Sequence, residues 1–63
     1  MTSDVRKLLN QFADEHAALH RSWTAAVGTP GYTKAPWLAR DRELTDRYSK
    51  SVRALGYDGP LIV

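Results

Sequence analysis

Counting the neutral histidine with the apolar side chains, a buried type of residue recurs at Val5, Leu9, Phe12, His16, Leu19, Trp23 and Ala26, spaced alternately four and three apart. That rhythm keeps one face of an α-helix turned toward a neighbour. The stretch SDVRKLLNQFADEHAALHRSWTAAVG therefore predicts one long helix over about residues 4–27, with Leu8 and Val27 widening its stripe. Ser3 is the expected N-cap, Asp4 stands in the first turn where the helix dipole favours a carboxylate, and Gly28 supplies the stop.

The rhythm breaks over 28–35. Thr29-Pro30-Gly31-Tyr32 predicts a type II turn, because proline presets the second position and glycine accepts the positive φ of the third. Ala35, preceding a proline, is steered away from helical geometry, and Pro36 suits the first position of a helix. A second helical pattern runs over about 36–55, with Trp37, Leu44, Tyr48, Val52 and Leu55 on the stripe and Leu38 beside it. It is weakest where Arg40, Asp41, Arg42 and Glu43 follow one another. Gly56 falls where a left-handed C′ residue belongs, which would set Tyr57 on Val52 in a Schellman motif. Asp58-Gly59-Pro60 then turns the chain into an apolar tail, Leu61, Ile62 and Val63.

Two amphipathic helices joined by a short connection predict an all-α fold, a two-helix antiparallel hairpin with an extended C-terminal tail over 56–63, forming a single domain over 1–63. A domain of 63 residues buries only about 60% of the surface its unfolded chain exposes. The absence of cysteine removes disulfides and thiolate metal sites as remedies. Two helices make one layer, so the hairpin is expected to be completed by its own tail, by self-association or by a protein partner.

Charge and hydropathy narrow the setting. No apolar run has the length of a signal sequence or of a membrane span, so a cytoplasmic chain without membrane contact is expected. The net charge of +2 is too small for a dedicated nucleic-acid coat. Six of the nine basic residues are arginine, eight residues are alanine and isoleucine occurs once, a usage that fits a GC-rich genome.

The candidate chemistry is sparse. His16 and His20 share a helical face at i, i+4, a spacing that can chelate Zn²⁺ or Ni²⁺, but Glu15 precedes the pair instead of lying between the histidines as in a zincin helix. With two ligands and no third in view, no metal is expected; His16 is placed in the seam on a hydrogen-bonding partner and His20 at its edge. Glu43 with Arg47 and Asp46 with Lys50 read as exposed i, i+4 pairs. No carboxylate stands in an apolar context and no serine in a nucleophile elbow or phosphate loop, so neither catalytic residues nor a cofactor are expected.

What remains points to binding. Tyr32 and Trp37 beside the prolines of the connection read equally as a staple between the two helices and as partner contacts, Tyr and Trp being enriched at interface hot spots; together with Leu61, Ile62 and Val63 they are the expected partner-binding residues. The expected function is a non-catalytic interaction module, a small accessory or structural subunit docking on a larger assembly through its apolar seam and tail. The alternative is a small nucleic-acid-associated regulator that uses Arg40, Arg47 and Lys50 on the second helix.

Overall fold

A computed structural model, describing residues 2–62, gives two α-helices and, among the described residues, no strand. Helix α1 spans Ser3–Ala26 and helix α2 spans Ala35–Ala54; they pack antiparallel along a rod of 44 × 16 × 13 Å. The all-α hairpin expected from the periodicity is the fold observed.

The start of α1 differs from expectation by one residue. Thr2, not Ser3, is the N-cap: its backbone is extended and its hydroxyl accepts the Val5 N–H at 3.2 Å. Either hydroxyl could satisfy an orphan amide of the first turn, and only Thr2 lies three residues before a free N–H. At the other end Val27 caps the helix with extended backbone, and Gly28 turns the chain at φ +86°. Leaving the helix swings Val27 off the stripe, so it is 56% exposed instead of widening the buried face.

The connection follows the predicted turn. The Tyr32 N–H donates to the Thr29 carbonyl at 3.2 Å, and Gly31 takes φ +79° as the third position of a type II turn requires. Ala35 is already helical, against expectation, with Lys34 as a helical N-cap that offers no side-chain bond. Pro36 costs nothing there, because the amide it lacks is one that a first turn leaves unpaired anyway.

Helix α2 closes in a Schellman motif. Gly56 at φ +87° donates to Arg53 O at 2.9 Å, and Tyr57 donates to Val52 O at 3.0 Å, which carries the Tyr57 ring onto Val52 as the sequence suggested. Leu55 becomes the cap residue and leaves the buried stripe, and Leu38 likewise stays exposed.

The apolar core lies at the open end of the hairpin. Val5, Leu9 and Val52 form its centre, covered by Leu8, Tyr57 and Leu61, and Phe12 meets Tyr48 edge-on with ring centroids 5.5 Å apart. Each fully buried side chain of this kind contributes about 1.5–3 kcal/mol. Leu61 thus serves as a lid, while Ile62 points to solvent and Val63 lies outside the described residues. No helix among the described residues is long and apolar enough to cross a membrane.

Candidate functional site

Beyond Phe12 the seam changes character. Phe12, His16, His20 and Trp23 climb α1 at intervals of four, four and three, and their rings follow one another in tilted contact: centroids stand 5.3 Å apart from Phe12 to His16, 4.2 Å from His16 to His20, and 5.2 Å from His20 to Trp23. Trp37 of α2 lies nearly parallel to Trp23, at 6.4 Å and 15°. The Trp23 indole donates to the Tyr32 hydroxyl at 2.7 Å. Tyr32 and Trp37 are half-buried and act as the staple the sequence allows, Tyr32 holding the connection to Trp23 of α1 and Trp37 holding α2 to the same ring.

Opposite the histidines stands Asp41. Its Oδ1 is 3.2 Å from His20 Nε2 and 3.3 Å from His16 Nε2, so both imidazoles converge on a single carboxylate oxygen. This is the residue that sequence reasoning missed. It sits in a run of charges and reads as solvated, yet it follows Trp37 by four and precedes Leu44 by three, which is the seam register of α2. The placements expected for the histidines hold: His16 is the more covered of the two and His20 lies at the rim.

A second polar cluster flanks the seam. Tyr48 donates its hydroxyl to Glu15 Oε2, and Arg47 reaches both Glu15 oxygens at 3.3 Å. The hydrogen bond to Glu15, helped by burial and by the carboxylate's charge, raises the Tyr48 pKa above its ordinary value of 10.0, with Arg47 pulling the other way. Among the described residues neither Glu43–Arg47 nor Asp46–Lys50 closes as an ion pair. Arg47 instead reaches across to the Glu15 carboxylate of α1, with its guanidinium carbon 5.3 Å from the ring of its α2 neighbour Tyr48.

These contacts bear on the basic face. Arg40 lies over the Trp37 ring at 4.8 Å and Arg47 is paired with Glu15, which leaves Lys50 as the exposed one of the three cations without such an aromatic or acidic neighbour among the described residues. Between the helices Ala18, Leu19 and Leu44 floor a shallow groove of about 430 Å³, rimmed by Glu15, Arg40, Glu43 and Arg47. Comparison with protein-family models, with curated proteins and with solved structures yields no match for this chain.

Proposed function

We propose that the protein is a non-catalytic interaction module, a small accessory or structural subunit that completes its fold against another protein surface. The observation that carries this reading is surface area. A compact monomer of 7.1 kDa exposes about 4,100 Å². This hairpin exposes 4680 Å². Its radius of gyration of 13.7 Å likewise exceeds the roughly 10.6 Å of a compact chain of this length. One layer of helices accounts for both excesses.

The interhelical groove suits such a role, because Ala18, Leu19 and Leu44 form an apolar centre inside a charged rim, the usual anatomy of a protein interface. The seam proper is spent within the hairpin at Val5, Leu9 and Phe12, so the groove, with Ile62 beyond the lid, is the surface on offer. The test is sedimentation equilibrium and thermal melting of the untagged chain across a wide concentration range, beside Leu19→Ser/Leu44→Ser. Association of the native chain, with a midpoint rising with concentration, and loss of both in the variant with helix content retained, support the reading. A stable monomer whose melt ignores concentration overturns it. So does tight, steeply salt-dependent binding of a DNA duplex that Arg40→Ala, Arg47→Ala and Lys50→Ala each weaken, which would favour the nucleic-acid regulator.

A further inference from the structure

We propose that His16, His20 and Asp41 form a divalent transition-metal site, with Zn²⁺ as the fitting ion, that clips α1 to α2 at the connection end of the hairpin. The inference is independent of the interaction reading above. Three potential donor atoms, one from each residue, lie within 4.8 Å of one another. Donors around a tetrahedral ion with bonds of about 2.0–2.1 Å stand about 3.3–3.4 Å apart. The two histidine-to-aspartate separations, 3.2 and 3.3 Å, have that span, and the two histidine donors stand within 4.8 Å of each other.

The backbone explains why the set is preorganised. Both histidines come from successive turns of one rigid helix, and the carboxylate comes from the facing helix at seam register, so no loop has to order on binding. The rings are held as well. Phe12 lies against His16 and Trp23 against His20, so aromatic surface walls the site on both sides. Access is adequate: the side chains of His16, Asp41 and His20 are 27%, 33% and 45% exposed, enough for an ion to enter and for water to take a fourth position. Two imidazole nitrogens and one carboxylate oxygen suit a borderline ion such as Zn²⁺, Co²⁺ or Ni²⁺; Mg²⁺ and Ca²⁺ prefer oxygen alone.

Asp41 Oδ1 lies within hydrogen-bond distance of His20, and one carboxylate oxygen has lone pairs enough to accept from both imidazoles. A chelate adds a single point that two Nε2 atoms and one carboxylate oxygen all reach, and metal titration separates the two arrangements. The site's position is also where the hairpin most needs a tie, because the buried aliphatic core stops at the other end. A metal binding only the folded chain stabilises it by mass action, and this one would link residues that are far apart in the sequence.

The experiment uses the untagged chain, stripped with EDTA and titrated with Zn²⁺ by calorimetry and thermal melting. The expected result is one ion per chain and a midpoint raised by about 10–20 °C at a hundredfold excess over Kd. Asp41→Asn should weaken binding at least about tenfold, His16→Ala should do the same, and Asp46→Asn, an exposed acid on the same helix, should leave it unchanged. Circular dichroism reports whether each variant keeps its helices. The Co²⁺ spectrum of the unaltered chain is a separate reading that needs no variant: strong visible absorption marks the four-coordinate site, and only weak absorption counts against it. The proposal is overturned if Zn²⁺ leaves the melt unmoved, if Asp41→Asn binds as tightly as the native chain, or if one ion is bound per two chains.

Discussion

Trp23 and Tyr32 meet through a hydrogen bond from indole to phenol at 2.7 Å, and this pairing joins the last turns of α1 to the connection. Both side chains are partly buried, so each would forfeit a partner that water replaces only in part. Tyr32→Phe is expected to cost about 1 kcal/mol in urea unfolding and to shift the tryptophan emission. In a double-mutant cycle with Trp23→Phe the two changes should couple; strictly additive effects would show that the bond does not hold the connection.

The core predicts a sharp contrast along α1. Phe12 is 3% exposed and packs on Tyr48, whereas Lys7 is exposed. Phe12→Ala is expected to lose about 3–5 kcal/mol, enough to unfold a small domain, and Lys7→Ala less than about 0.5 kcal/mol. Chemical denaturation measures both, and equal tolerance at the two positions would place the buried face elsewhere.

Tyr48 makes stability depend on alkaline pH. Its pKa is raised in the folded chain, chiefly by the hydrogen bond to Glu15, so between the unfolded and folded values the native state holds the extra proton. The corresponding stability is whole below the ordinary tyrosine pKa of 10.0 and is lost as pH climbs through the folded value. Unfolding free energies measured across this range should fall more steeply for the native chain than for Tyr48→Phe. Parallel slopes would contradict the assignment.

The tail separates two roles in neighbouring residues. Leu61 packs on the core cluster while Ile62 is 60% exposed. Leu61→Ala should lower the melting temperature of the isolated chain at any concentration, by an amount of about 1–2 kcal/mol in stability. Ile62→Ala should leave the melt alone at low concentration and lower the midpoint only where association raises it. Gly59 underpins the arrangement: the Tyr57 hydroxyl donates to Pro60 O at 2.6 Å, and a Cβ at Gly59 would stand 2.7 Å from that same hydroxyl. Gly59→Ala should therefore displace the Tyr57 phenol and weaken its hydrogen bond to Pro60 O, a smaller loss than Leu61→Ala causes.

Most of the hairpin is legible in the sequence, and the exceptions share a cause. All seven positions of the α1 stripe are buried or half-buried, because a helix reads out periodicity directly. The Gly31 turn and the Gly56 cap are legible because only glycine takes those dihedrals cheaply. Val27 and Leu55 have the right chemistry at the wrong place, as the C-cap residues of α1 and α2, where the helical register no longer fixes direction. Asp41 and Arg47 escape a reading of the sequence for the opposite reason. Charge suggested solvent or a neighbour four residues away, whereas both reach across to α1, and which residues of another helix they would meet is set by the hairpin's register, not by local spacing.

The separation of an aliphatic core at the open end from an aromatic and polar ladder at the connection end has a consequence for how the chain reaches its native state. Trp23 and Tyr32 close a short loop, whereas Val5 and Val52 close one about five times longer, which costs about 1.4 kcal/mol more in chain entropy. The weak contacts are therefore the easy ones to form first, and the strong contacts come last. Folding should start beside the Thr29–Tyr32 turn and close like a zip toward Val5 and Val52. Substitutions at Trp23, Tyr32 or Trp37 should then slow folding, whereas substitutions at Val5 or Val52 should mainly hasten unfolding.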